Sequence, residues 1–510
     1  MASVASAGSA APPSSHAFST TCAAKAYTYN QLAGYGLVPS DARDKFGDTI
    51  SLGSSIAMAS WSWKGFRYEG KLYGLPDRGW NTQGTVNFQP RIHEFLVTMT
   101  PAPNATAARP SAPNVALAYR DSILLAGPDG EPTTGLDADQ TSGLRYPRLP
   151  LLPAATFTGD GFGGDGPRRK RVALDPEALV LAGDGGFWIS DEYGPYIYKF
   201  DRSGRMTAAI APPDALLPLR NGTTSFSSNN PPAYGPAGHR QSVPSSPTQG
   251  RQNNQGFEGM TTSPDGTSLW VLLQSAALQD GGTSASSRRY TRLLQYSVKK
   301  CNGISQTAVY EREYVVPLPT FKDASGKTAV AAQSEMHFVS DTQFLFLPRD
   351  SNHGRGLPSS ESAYRHVDIF DLSNATDVEG PARDAFNASI ASAAGVLGSG
   401  IAPATVCPFV DFNLNAQLAR FNLHNGGPQD GGLLNEKWEG LALVPAGDQD
   451  EGRHGDEYFL FASSDNDFVT QNGFVNFGKT SFSDRSGFDL DSQMLVFRIT
   501  LPKGSRPLVG

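Results

Sequence analysis

Apolar residues along this chain come in short runs rich in Val, Leu, Ile, Phe, Tyr and Trp, broken by Gly, Asp, Asn and Ser. Runs of that length and punctuation are strands and hairpins, not helices. Their order repeats. A Glu opens an apolar run, a second apolar run ends in acidic or polar residues, and a third apolar run follows. The first copy is Glu177 with ALVLAG, FWISDEYG ending at Gly194 and YIYKF ending at Phe200. The second is Glu258 with GMTTSPDG, SLWVLLQS ending at Ser275 and TRLLQYSV ending at Val298. The third is Glu335 with MHFVSD, FLFLPRDS ending at Ser351 and RHVDIFDL ending at Leu372. The fourth is Glu439 with GLALVP, YFLFASSDND ending at Asp467 and MLVFRITL ending at Leu501. A weaker copy without the Glu runs from Ser54 (SSIAMA) through KLYGLPDRG ending at Gly79 to RIHEFLV ending at Val97.

SPDG at 263–266 and DRSG at 201–204 are turn sequences, in which Asp and Ser bond nearby backbone and Gly supplies positive φ. Fourth strands are expected at 115–125, 206–212 and 308–318. A small sheet unit repeated around one fold is the signature of a β-propeller. The expectation is therefore an all-β chain, a β-propeller with five blades read from the sequence and a sixth expected, closed by chain from both ends, with 27–38 contributing. A pair of β-sandwiches is the alternative, and it leaves the repeated Glu without a reason. One propeller domain is expected over 27–505, after a disordered Ala/Ser-rich segment at 1–26. Residues 213–256, nearly devoid of aliphatic core, form a long inserted loop, either a lid or a surface excursion.

Composition narrows the class. Gly is 54 and Pro 37 of 510 residues, and only 18% are charged, a turn-rich profile unlike a helical bundle. The net charge of −7 argues against nucleic acid, which needs a basic face. No run of 18 apolar residues occurs, so no membrane-spanning helix is expected. Residues 1–26 lack the basic start and apolar core of a secretory signal. Sequons at Asn104, Asn221, Asn374 and Asn387 nonetheless suit a secreted, glycosylated monomer. Cys22, Cys301 and Cys407 allow one disulfide and one free thiol, with the pairing open.

In a propeller the repeated Glu177, Glu258, Glu335 and Glu439 would converge on the central axis. Clustered carboxylates repel unless protonated or bridged by a cation. Oxygen donors without clustered His or Cys favour Ca²⁺ over zinc. The ends of the second runs supply a further set: Asp77 with Arg78, Asp191 with Glu192, Arg349 with Asp350, and Asp465 with Asp467. Arg beside acid suits a small anionic substrate held on a metal, and His353 beside Asp350 is a candidate proton shuttle. No GxSxG elbow, Walker loop, HExxH or EF-hand spacing occurs, and RHG at 453–455 lacks the continuation of a histidine acid phosphatase. GFGGDGP at 161–167 opens no helix, and the run Arg168–Arg171 reads as a solvated basic edge.

The blocks LVPSDARDKFGDTISLGSSIA, LYGLPDRGWNTQGTVNFQPRIHEF, DPEALVL with WISDEYGPYIYKFD, NQGFEGMTTSPDG, and KWEGLALVP with FASSDNDF resemble the "esterase-like activity of phytase" family, in a form common among filamentous fungi. The resemblance spans roughly 27–500. It implies a propeller and calcium-dependent hydrolysis of phosphate monoesters. Glu177, Glu258, Glu335, Glu439, Asp191, Asp465 and Asp467 then become candidate ligands, Glu192 a catalytic acid, and Arg78 and Arg349 neutralisers of phosphate. Two other functions fit the same residues: a calcium-dependent carboxylester or lactone hydrolase, and a non-catalytic propeller stabilised by calcium.

Overall fold

The computed structural model describes residues 17–235, 241–301, 304–447 and 456–509. Five antiparallel sheets make up its body. The first blade is Ser55–Trp63, Tyr68–Leu75, Arg91–Met99 and Val115–Leu124. The second is Pro176–Leu181, Phe187–Asp191, Ile197–Phe200 and Met206–Ile210. The third is Phe257–Thr262, Ser268–Leu273, Tyr290–Cys301 and Ile304–Pro317. The fourth is Ala332–Phe338, Gln343–Arg349, His366–Asp371 and Thr405–Asp411. The fifth joins Trp438–Pro445, Glu457–Ser464 and Ser492–Thr500 to Lys25–Val38 and Phe18–Cys22 from the other end of the chain. The leading strands of the five sheets touch one another in a closed cycle, each against the next and the last against the first. The chain is a β-propeller, and the fourth strands expected at 115–125, 206–212 and 308–318 are in place.

The blade count needs one correction. The five modules read from the sequence close the ring, and no sixth blade stands among the described residues. Lys25–Val38 does close the ring from the opposite end, but as the fourth strand of the fifth blade, paired with Ser492–Thr500. Outside the blades, Gly143–Leu144, Leu152–Phe157 and Arg169–Val172 form a small sheet between the first two blades in sequence, and among the described residues three two-stranded ribbons lie in other loops. Part of the segment expected to be disordered is ordered. Residues 1–16 lie outside the described residues, but Phe18–Cys22 is already strand.

Apolar side chains between blades hold the ring. Ile56, Leu72, Phe95 and Val97 of the first blade, for example, pack with Val444, Phe461 and Val496 of the fifth. Burying side chains of this size stabilises by roughly 1.5–3 kcal/mol each. Cys22 is disulfide-bonded to Cys407, tying the N-terminal strand to the outer strand of the fourth blade across 385 residues of sequence. The side chain of Cys301 lies outside the described residues.

The 213–256 insertion is held by buried arginines, apart from 236–240, which lie outside the described residues, as does RHG at 453–455. Arg220 donates to the carbonyls of Ser225, Ser227, Pro244 and Ser245. Arg251 donates to those of Tyr193 and Phe226. The loop is thereby packed against the end of the second blade, next to Glu192.

Candidate metal centre

Each of the four Glu-bearing inner strands carries a register shift at its Glu. The shifts lie between Pro176 and Leu179, Phe257 and Met260, Gln333 and Met336, and Trp438 and Gly440. A bulge adds a residue to one strand and re-aims its side chain. These bulges turn Glu177, Glu258, Glu335 and Glu439 inward, where all four are buried. In the first blade the shift lies elsewhere, between Met58 and Ser60, and Ser54 and Ser55 stand where the other blades have Glu. Glycine after Glu258 keeps the strands close, because a Cβ on Gly259 would lie 2.7 Å from the backbone nitrogen of Met336.

The four glutamates do not share one fate. Glu335 accepts from Ser55 Oγ at 2.6 Å and from the backbone amides of Met336 at 2.9 Å and Met260 at 3.1 Å. Glu439 pairs with Arg349 Nη2 at 2.6 Å and accepts from Ser54 Oγ at 3.2 Å. These two staple neighbouring blades. Glu258 receives the side-chain amide of Gln274, while its Oε2 is buried without a partner. Glu177 lies with Asp175 and Glu192, one oxygen of each within 4.8 Å of the others. Asp175 Oδ1 and both oxygens of Glu192 are likewise buried and receive no other donor, although Glu192 and Glu258 stand close enough to share one proton.

Local structure explains this convergence. Asp191 accepts from the backbone amides of Asp175 and Gly194, both at 2.7 Å, which ties the end of the second strand to the entry of the first. It acts as a brace and not as a member of the open cluster. Arg78 reaches across from the first blade to Asp175 Oδ2 at 2.7 Å. Burial, then the charges of Glu258 and Glu192, pushes Glu177 well above the usual carboxylate range. Burial, then Glu192, does the same to Glu258. Glu192 is pushed up to about 7, mainly by burial and next by Asp175, against the pull of Arg78.

A second acidic cluster, Asp77, Asp465 and Asp467, lies beside the first. It already has a cation. Lys437 Nζ stands 2.8 Å from Asp467, 3.2 Å from Asp465 and 3.7 Å from Asp77, and 3.6 Å from Glu439. Burial would raise Asp465, but the Lys437 charge, the backbone amide of Asp467 and the Ser51 hydroxyl together outweigh it and hold that carboxyl below its ordinary value. The same acids hold the Lys437 ammonium well above its ordinary value despite burial.

Of the residues singled out in the sequence, Arg78, Glu177, Glu192, Glu258, Arg349, Glu439, Asp465 and Asp467 therefore meet at the axis, with Glu335 beside them. Both arginines are engaged by carboxylates. His353 is placed apart: Nδ1 faces the carbonyl of Ser351 at 2.7 Å and Asp350 at 3.5 Å, and none of its described contacts is with the central carboxylates. Asp175 and Lys437 escaped the sequence reading. Each sits two positions before the repeated Glu, in D-P-E and K-W-E, so the register that singled out the Glu also marks them.

Only oxygen donors line the open cluster, and four of their buried atoms lack a partner. A buried carboxylate without a partner is costly, and a hard divalent cation is the group such a set accommodates. Asp175, Glu177 and Glu192, with Glu258 next to them, fit it. The Lys437 cluster does not call for one.

Fold and carboxylate centre together define a propeller with an acidic axial site. The family model for phytase-like proteins, "Esterase-like activity of phytase", matches residues 65–468, and the chain belongs to that family. An uncharacterized secreted protein of Arthroderma benhamiae is 50% identical over 468 residues, covering 89% of this chain and 90% of the relative. Among solved structures, a luciferin-regenerating enzyme aligns at 10% identity over 90% of this chain and 95% of its own, with a TM-score of 0.26. The Dos1 propeller aligns at 8% identity over 91% and 95%, with a TM-score of 0.23.

Proposed function

We propose that this protein is a secreted, calcium-dependent hydrolase of phosphate monoesters. The observation that carries the reading is the pocket of unpartnered carboxylate oxygens on Asp175, Glu192 and Glu258, beside acids that are matched. Evolution of a fold leaves such groups unpaired mainly where a ligand meets them. Asp175, Glu177, Glu192 and Glu258 would hold the ion. A bound calcium ion supplies Lewis-acid polarisation of the ester and a more acidic water.

The chain's own residues divide the remaining work. Glu192, pushed up to about 7 by burial when no ion is bound, would give up its proton as the ion binds. Asp191 positions Asp175 through its backbone amide. Arg78 fixes Asp175 from the other side. Lys437 offsets part of the charge of Asp77, Asp465 and Asp467, which lessens the repulsion an anion meets near the axis. Secretion is supported by the Cys22–Cys407 disulfide, by the exposure of Asn104, Asn221, Asn374 and Asn387, and by the secreted relative.

The test is release of phosphate from p-nitrophenyl phosphate, abolished by EDTA and restored by calcium, with metal content measured on the purified protein. No release from pH 5 to 9 with calcium present rejects the phosphatase reading. Turnover of p-nitrophenyl acetate or a lactone instead, lost in Glu192→Gln, would assign the same site to carboxylic esters.

A further inference from the structure

Lys437, Asp465 and Asp467 form part of the wall of a cavity of about 350 Å³. That is the size of a small-molecule site. Its acids are spent. Asp465 and Asp467 face Lys437. Asp484 accepts from Trp80 Nε1 at 2.9 Å, the backbone amide of Ser486 at 2.8 Å and Thr82 Oγ1. Glu436 accepts from the backbone amide of Asn352 at 2.6 Å and lies 3.8 Å from Arg349.

The donors are not spent. Arg355 and Arg485 line the same cavity, and neither has a carboxylate at ion-pair distance among the described residues. Arg355 Nε and Gln83 Nε2, also in the wall, lack partners, and Asn435 Oδ1 is an unmet acceptor. Leu357, Val469 and Leu490 supply an apolar side. A cavity with free donors, matched acids and one greasy wall suits a ligand that is anionic at one end and apolar at the other. The carboxylates in the wall oppose a ligand charged all round.

We infer that this cavity, which shares Lys437, Asp465 and Asp467 with the second acidic cluster, is a binding subsite for small molecules with one acidic group and an apolar body, held by Arg355 and Arg485, in preference to an inositol polyphosphate. The inference rests on the hydrolase reading for the reaction but not for the binding. The probe is therefore phenylphosphonate, which cannot be hydrolysed, titrated calorimetrically at fixed free calcium into the protein, Arg355→Ala, Arg485→Ala, Arg485→Glu and the double alanine variant. Exposed Arg485 can be replaced without disturbing the core. Phenylphosphonate is expected to bind the parent protein, about tenfold or more weaker to each single alanine variant, and weakest to Arg485→Glu. Inositol hexakisphosphate should compete at least tenfold less well than phenylphosphonate. In parallel, the variants should raise KM for p-nitrophenyl phosphate more than they lower kcat. Absence of phenylphosphonate binding, binding indifferent to both arginines, or stronger binding of the hexakisphosphate overturns the subsite. Arginine-dependent binding with no ester turned over leaves the subsite standing and removes the hydrolase. Turnover with KM unchanged in the double variant does the reverse.

Discussion

Glu192 concentrates the chemistry of the centre in one side chain: buried, with no donor on either oxygen beyond a proton shared with Glu258, and pushed up to about 7. Glu192→Gln keeps its shape and removes its charge. We expect turnover and calcium affinity to fall together, by about tenfold or more, as a ligand of the ion is lost. Calcium should then raise the melting temperature less than in the parent, while in EDTA at pH 8 the variant should melt no lower, having lost a buried charge that destabilises the fold. Calorimetry with and without calcium checks both. Lys437 predicts the opposite behaviour. Lys437→Met leaves Asp77, Asp465 and Asp467 facing one another, at a cost on the order of 3 kcal/mol. Denaturant melts should show that loss, and added calcium should recover part of it by standing in for the ammonium. At this scale the sequence was half legible. Repetition exposed Glu177 and Glu258, but Arg78 and Arg349, read as substrate contacts, are engaged by Asp175 and Glu439, and pairing between blades has no local signature.

The inner strand is the element that makes the site. Its bulge at Glu and its close approach to the next strand belong together. Gly259→Ala places a Cβ against the backbone of Met336, and an overpacked contact of this kind costs about 1–3 kcal/mol. We expect that loss in chemical denaturation, together with weaker calcium binding, because Glu258 moves with its strand. Hairpins were legible in the sequence because SPDG and DRSG carry their own turn chemistry. The sixth blade was overcounted for a related reason. Residues 27–38 were counted toward it, whereas Lys25–Val38 completes the fifth, and local pattern does not say which sheet a strand joins. The pinning of the 213–256 loop by Arg220 and Arg251 was likewise hidden, since a buried arginine and a solvated one look alike in sequence.

At the scale of the whole molecule, crowding acids at the axis makes stability depend on pH. Glu192 stands at about 7 and Glu335 at about 8, both raised chiefly by burial from an unfolded value of about 4.3. A raised carboxyl contributes stability that is fully present below the unfolded value and is lost as pH rises through the folded one. Calcium-free protein should therefore lose melting temperature between about pH 5 and pH 8, and the calcium-induced gain should grow over the same interval. A flat profile in EDTA would contradict this assignment.

Ring closure joins distant parts of the chain, since Lys25–Val38, paired on one side with Phe18–Cys22, finds its other partner in Ser492–Thr500. During synthesis the first of these strands emerges hundreds of residues before the second, so for most of translation one of its edges is unpaired. Cys22 waits as well, because Cys407 comes 385 residues later. Closure of the ring thus waits until Ser492–Thr500 has been made, and a chaperone that shields the open edge of Lys25–Val38 would raise the yield of soluble product more than one acting on any other blade.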